Sequence, residues 1–371
     1  MDVKAIAFYL PQYHPIPEND RWWGAGFTEW RKVVTARARY RGHRQPRLPL
    51  GLGYYDLRLP EARAAQAALA SAYGIHGFCY YHYWFEGRRL LERPFEEVLR
   101  RGEPDFPFCL CWVNEPWTRR WDGESGTILL AQTYSRDDDL RHIEWLSRAF
   151  ADPRYIRVHG RPLFLVYRAS QLPNARATTD LWRTAALRLG MPEPYLCMVQ
   201  SAAREIVNPS ELGFDASVEF QPDWTRLGLP LLHRSWRYAA SRVLGGEGAL
   251  RVYRYPAFAE RMLKKPAPAY MRFPGVMTGF DDTPRCPDRA TVFAGSTPER
   301  FGAWLAGAVD RTRAHSQDER LVFINAWNEW AEGAHLEPCQ EWELGYLEAC
   351  RDVLVNGNGR VLATLDDDEE V

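Results

Sequence analysis

No stretch of this chain reaches the ~18 uninterrupted apolar residues that a membrane-crossing helix requires, so no membrane span is expected. The opening Met1-Asp2-Val3-Lys4-Ala5-Ile6 lacks the basic-then-apolar order of an export signal, which makes the cytoplasm the expected compartment. Charge of one sign is also missing. The formal net charge is −1, so no global field draws the chain to nucleic acid, and no such partner is expected. Cysteine is sparse and odd in number, seven in all. Cys79, Cys109, Cys111 and Cys197 fall inside apolar runs, where a free thiol packs as a small hydrophobe. Cys109 and Cys111 have no second ligand pair and His-x-x-x-His spacing is absent, so no metal is expected. No glycine-rich phosphate loop follows the first apolar run, and no Gly-x-Ser-x-Gly elbow occurs. Asp281-Asp282 are adjacent rather than spaced as an Asp-x-Asp metal site would be. No cofactor is expected.

Aromatic residues are abundant instead. They make up 13% of 371 residues, with 15 Trp and 18 Tyr, many in short clusters flanked by polar groups. Part of that total serves a large core. Trp and Tyr also join a flat apolar face to a polar tip, which suits the C–H face and hydroxyls of a sugar.

Apolar, β-rich runs alternate with helical patterns. The runs are Ala5–Pro11, Gly74–Phe85, Phe106–Glu115, Pro162–Arg168, Pro194–Gln200, Ala216–Phe220, Pro274–Asp281 and Leu321–Trp330. Helices are predicted at Pro60–Tyr73, Asp137–Ala151, Thr179–Leu189 and Pro298–His315. Eight strands with helical connectors predict an α/β fold, a (β/α)8 barrel over residues 1–355, with a doubly wound open sheet as the alternative. Residues 222–272, rich in Arg, Lys, Trp, Tyr and Pro, read as a basic aromatic insertion between strands six and seven. Residues 356–371 form an acidic tail expected to be disordered, because five consecutive acids, Asp366–Glu370, repel one another.

In such a barrel the reacting groups stand at the carboxyl ends of the strands. There the chain places Tyr9 and His14 after strand one, then His82, Tyr83 and Trp84 on strand two, and Trp112, Asn114, Glu115 and Trp117 after strand three. Strand eight ends in Asn325-Ala-Trp327-Asn-Glu329-Trp330-Ala-Glu332-Gly333. Alternation is expected to turn Asn325, Trp327 and Glu329 to the barrel axis, with Glu332 approaching from the loop. Two carboxylates in one cavity cannot both ionise freely, so one is expected to keep its proton. That is the condition for a general acid beside a general base. Solvated glutamates on a surface turn are the competing reading of the spacing, and Glu115 is the competing acid. Trp112, Trp117, Tyr83, Trp84 and Trp330 are the expected stacking positions; Tyr9, His14, His82, Asn114 and Glu115 are the expected polar contacts.

Glu329-Trp-x-Glu332-Gly-x-x-Leu-Glu337-Pro338 resembles the signature of glycoside hydrolase family 99, the endo-α-mannosidases and endo-α-mannanases. The segments Tyr9-Leu-Pro-Gln-Tyr-His14-Pro, Phe27-Thr-Glu-Trp30, Phe78-Cys-Tyr-Tyr-His-Tyr-Trp-Phe85 and Trp112-Val-Asn-Glu-Pro-Trp-Thr-Arg-Arg-Trp-Asp122 more closely resemble the WbsX group. These are bacterial proteins labelled as glycosyltransferases of O-antigen or other surface-polysaccharide clusters. The resemblance spans Ile6 to Val353. It implies a (β/α)8 barrel and retaining cleavage of α-linked, mannose-type glycans by participation of the sugar's 2-hydroxyl. Glu329 would take the 2-hydroxyl proton, and Glu332 would protonate the leaving oxygen and later activate the incoming water or hydroxyl. The implied partner is an oligosaccharide or polysaccharide, free or lipid-linked. Ala331 departs from the family-99 hydrolases, which commonly carry His between the glutamates. A nucleotide-sugar transferase and a non-catalytic glycan-binding barrel are the rival readings.

Overall fold

The structure is a computed structural model that describes residues 3–119, 124–231, 250–286 and 290–357. Eight strand positions follow one another around the barrel: β1 (Lys4–Tyr9), β2 (Ile75–Phe85), β3 (Phe108–Trp112), β4 (Arg161–Val166), β5 (Tyr195–Gln200), β6 (Ala216–Glu219), β7 and β8 (Leu321–Asn325). β7 comes in two segments, Arg272–Phe273 and Gly275–Met277, divided at Pro274, whose ring leaves no N–H for the ladder. The first segment pairs with β6 and the second with β8, all in parallel, so the sheet returns on itself. Every other neighbouring pair is parallel too, from β8–β1 through β5–β6. The fold is a single (β/α)8 domain, as the alternation of apolar runs and helices predicts.

Closure rests on one small residue. A methyl group added at Gly275 would lie 1.8 Å from the main-chain oxygen of Glu219, so only glycine lets β7 approach β6 this closely. Gln221 Nε2 then donates to Gly275 O at 3.0 Å and fastens the same junction.

Helices pack outside. They include α1 (Pro60–Ala72), α2 (Arg93–Arg101), α3 (Arg136–Phe150), α4 (Ala175–Arg188), α5 (Tyr255–Leu263), α6 (Pro298–Thr312) and α7 (Gly345–Leu354). Their starts are written locally. Ser135 caps α3 through the Asp138 N–H, Thr297 caps α6 through the Arg300 N–H, and proline occupies the first turn of α1 and α6.

Part of the supposed insertion belongs to the barrel itself. Within 222–272, α5 buries Tyr255, Phe258 and Met262 and packs against α6, while Arg251–Arg254 pairs in parallel with Thr291–Ala294. It is the connector between β6 and β7. Residues 232–249, with Trp236, Arg237 and Tyr238, lie outside the described residues, as does the acidic tail from 358 onward.

Period-two alternation sorts the aromatic residues into two layers. Phe8, Tyr81, Phe220 and Phe323 meet inside the barrel, Phe8 lying 5.7, 5.0 and 5.6 Å from the other three ring centres in that order. Tyr9, Phe78 and Tyr80 meet outside, under the helices, at 5.0 and 4.5 Å from Tyr9. The inner layer floors the cavity described next.

Candidate active site

At the carboxyl ends of the strands lies a cavity of about 260 Å³. Its lining includes Gln12, Asn19, Trp23, Tyr81, Tyr83, Glu115, Trp117, Tyr167, Phe220, Arg285, Glu329 and Glu332. Glu329 lies in a two-residue strand, Asn328–Glu329, paired with Ala334–His335. Asn328 anchors that strand to the end of β1: its Oδ1 accepts from Leu10 N at 2.7 Å and its Nδ2 donates to Leu10 O at 3.0 Å. A tight turn, Trp330–Glu332, then carries Glu332 back over the same cavity and ends at Gly333 with φ +59°. Any side chain at Gly333 would strain the backbone and press on Arg47 and Asp281.

One guanidinium organises the floor. Arg285 Nη2 donates to Glu329 Oε2 at 2.7 Å, Arg285 Nη1 to Glu332 Oε1, and Arg285 Nε to Glu29 Oε1 at 2.7 Å. Glu29 is fully buried and its Oε2 has no hydrogen-bond partner. Among the described residues, three carboxylates meet this one cation, which leaves the cluster net negative. Burial, which Arg285 offsets and Glu332 and Glu29 reinforce, pushes Glu329 up to about 8. Burial likewise raises Glu29. The cluster therefore keeps a proton at neutral pH, held at Glu329. Arg285 stays charged: burial works against its charge, but the surrounding carboxylates raise it well above its ordinary range.

The loop that carries Arg285 is braced by Asp281. Its Oδ2 meets His43 Nε2 at 2.8 Å and Gln45 Nε2 at 2.7 Å, and its Oδ1 accepts from Thr283 Oγ1 at 2.6 Å. Asp281 N donates to Glu332 O at 2.6 Å, which joins the loop after β7 to the turn that carries Glu332. Burial alone would raise the Asp281 carboxyl, but its donors and Arg47 hold it below its usual range.

Beneath the turn lies a second buried carboxylate network. Glu337 accepts from Trp330 Nε1 and Gln66 Nε2, each at 2.6 Å, and from Tyr55 Oη at 2.8 Å. Tyr9 Oη extends it by donating to Gln66 Oε1 at 2.7 Å. Burial pushes Glu337 up to about 7 despite these donors.

The residues singled out in the sequence divide accordingly. Glu329, Glu332, Tyr83, Glu115 and Trp117 meet in the cavity, where the Trp117 ring stands edge-on to Tyr83 at 5.2 Å. Glu115 accepts from Arg168 Nε at 2.7 Å, so its charge is matched, which weakens it as a competing acid. The other expectations are corrected. Tyr9 is buried among helix-side rings and supports Glu337. His14 is buried away from the cavity. His82 faces the helices, stacked on Trp145 at 4.7 Å and 3.0 Å from His142 Nε2. Trp84 donates to Asp138 on α3, and Trp112 donates to Trp84 O at 3.2 Å. Asn114 ties the ends of β3 and β4, donating to Arg168 O at 2.9 Å and accepting from Arg168 N at 2.8 Å. Trp330 lies flat on His335 at 3.8 Å, below the cavity. Trp327 packs on Phe78 at 5.1 Å, in the outer layer rather than on the axis. Among the described residues, no three His, Cys, Asp or Glu side chains group as a metal site, and no helix is long and apolar enough to cross a membrane.

Arg285, Glu29 and Asn19 were not among the expected site residues. Asn19 is fully buried on the cavity wall, and neither its Oδ1 nor its Nδ2 has a hydrogen-bond partner.

The sequence profile of the family described as "Glycosyltransferase WbsX" matches residues 5–350. The chain belongs to the WbsX family. Two relatives, both described as "Uncharacterized protein WxcX", come from Xanthomonas campestris pv. campestris strains B100 and ATCC 33913. Each is 43% identical over 355 residues, covering 95% of this chain and 50% of the relative. The chain thus spans about half the length of the curated relatives it matches. Among solved structures, the GH99 endo-α-mannosidase from Bacteroides thetaiotaomicron bound to Bis-Tris propane superposes with a TM-score of 0.57 at 14% identity, covering 96% of this chain and 97% of that one. A glycoside hydrolase-like protein gives 0.56 at 15% identity, covering 95% and 93%. At such low identity these neighbours speak to the fold, which is that of this WbsX barrel.

Proposed function

We propose that this WbsX barrel cleaves or transfers an α-linked, mannose-like glycan with retention of configuration. The observation that carries the reading is the clamping of Glu329 and Glu332 by one arginine on the floor of an aromatic-walled cavity. Glu329, raised by burial, is a stronger base than an ordinary carboxylate once it ionises. It takes the proton of the sugar's 2-hydroxyl, whose oxygen attacks C1 as the glycosidic bond breaks. Glu332, the more exposed of the two, gives a proton to the leaving oxygen. In the second step Glu332 accepts a proton from water or from a sugar hydroxyl as that oxygen opens the three-membered ring, and Glu329 returns its proton to O2. The pair thus carries one shared proton, and the reactive form places it on Glu332. A hydroxyl acceptor in place of water turns hydrolysis into transfer, which agrees with the family's description. Trp117, Trp23 and Tyr83 supply the sugar-facing walls.

The test is product analysis on panels of α-mannosides, rhamnosides and related oligosaccharides, wild type against Glu332→Gln. Cleavage or transfer by the wild type, and its loss in the variant, is expected. A 2-deoxy substrate should go unprocessed. Efficient cleavage of it would remove Glu329 from the assigned role, and binding without turnover by wild type would favour a glycan-binding barrel.

A further inference from the structure

The loops after β1, β7 and β8 and the connector between β6 and β7 enclose a second cavity of about 250 Å³, which shares no lining residue with the catalytic one. Arg44, Arg47, Arg254 and Arg300 border it, with two carboxylates, Asp281 and Glu341. Both carboxylates are engaged. Glu341 is paired with Arg44, and Asp281 is held by His43 and Gln45. Arg47 and Arg300 donate only to main-chain carbonyls, Gly333 O at 3.0 Å and Gly295 O at 2.8 Å. Those acceptors are neutral, and neither guanidinium has a carboxylate at ion-pair distance among the described residues. The Nε of Arg47 is also buried with no hydrogen-bond partner. A charged donor taken out of water without an acceptor is costly, and Arg47 Nε is one, with the Arg300 guanidinium on the wall of the same hollow, which marks a place for an anion. Ser296 and Thr297, just before α6, and Arg300 in its first turn complete the wall.

We propose that this second cavity binds a phosphate-type oxyanion, a phosphate or diphosphate group carried by a sugar ligand or its carrier. Planar guanidinium forks match phosphate oxygens, and several of them suit a group with more than one negative charge. The loops after the seventh and eighth strands are a recurrent phosphate position in barrels of this type. The occupant lies behind the catalytic turn, since Arg47 holds the carbonyl of Gly333, the residue that follows Glu332. This binding is independent of the glycosidic reaction proposed above.

Isothermal titration with inorganic pyrophosphate tests it. One-to-one saturable binding that weakens as salt rises is expected. Arg300→Gln should weaken it by about tenfold or more. Glu332→Gln and the exposed control Arg37→Gln should bind as wild type does, which separates this site from the catalytic reading. Circular dichroism and thermal unfolding verify that the variants are folded. Parallel titrations with a nucleoside diphosphate and with farnesyl diphosphate assign the source: tighter binding of one names the carrier, and equal binding of all three assigns recognition to the phosphate alone. Absence of saturable pyrophosphate binding, unchanged binding in folded Arg300→Gln, or equal affinity for glucuronate would overturn the proposal.

Discussion

Replacing Arg285 with glutamine removes the one cation shared by Glu29, Glu329 and Glu332. In the wild type, the guanidinium balances one carboxylate charge and Glu329 holds a proton at neutral pH. Without it, a second carboxylate of the cluster must also hold a proton in the folded state. Unfolded, that group would ionise near its ordinary value of about 4.3. Keeping it protonated at pH 7 costs about 2.7 pH units at 1.36 kcal/mol each, or about 3.7 kcal/mol, whereas at pH 5 the cost is about 1 kcal/mol. The larger figure falls within the roughly 3–5 kcal/mol seen when one partner is removed from a buried ion pair. The sign follows: the folded variant binds more protons than its unfolded chain, so its stability falls as pH rises. Urea unfolding followed by tryptophan fluorescence at pH 5 and pH 7 measures the difference. The destabilisation should be severalfold larger at pH 7. Equal destabilisation at both values, or none at pH 7, would refute the charge argument and reduce Arg285 to a packing residue.

The remaining expectations are simpler. Gly275→Ala should yield little folded protein in expression and circular-dichroism assays, because its methyl would lie 1.8 Å from Glu219 O where the barrel closes. Asn19→Ala should raise KM severalfold while leaving the unfolding midpoint unchanged or higher, since the buried amide makes no bond that the substitution would break. In Glu337, raised by burial to about 7, protonation contributes stability that is complete below its unfolded value and is lost as pH rises through about 7. The fall in thermal midpoint from pH 5 to pH 8 should therefore be smaller in Glu337→Gln than in wild type. The kcat/KM profile should fall as pH rises through about 8, where the pair loses its one shared proton and Glu332 has none to give, and a profile still climbing above pH 8 would contradict the shared-proton role.

What the sequence discloses about this site follows from how far apart its parts lie along the chain. Glu329 and Glu332 are legible because three residues separate them, and one turn delivers both to the same cavity. The strands are legible for a similar local reason, since apolar runs bounded by Pro and Gly need no distant partner to be recognised. Arg285 is different. It sits in an ordinary Thr-Pro-Arg-Cys turn, and only closure of the barrel between β7 and β8 brings it onto carboxylates 44 and 47 positions later in the chain. His82 and Trp84 belong to a legible strand but lie on its outer face. Tyr83 faces the cavity, so its neighbours on the same strand must face the helices, and a strand-end cluster taken whole counts both faces as one. Trp112 and Trp330 could not be separated from Trp117 by type or position alone. Their indole N–H groups are spent inside the protein, on Trp84 O and Glu337, whereas Trp117 lies in a short strand across the mouth. The partner of the indole N–H therefore marks Trp112 and Trp330 as core rings, which residue type and position along the chain do not.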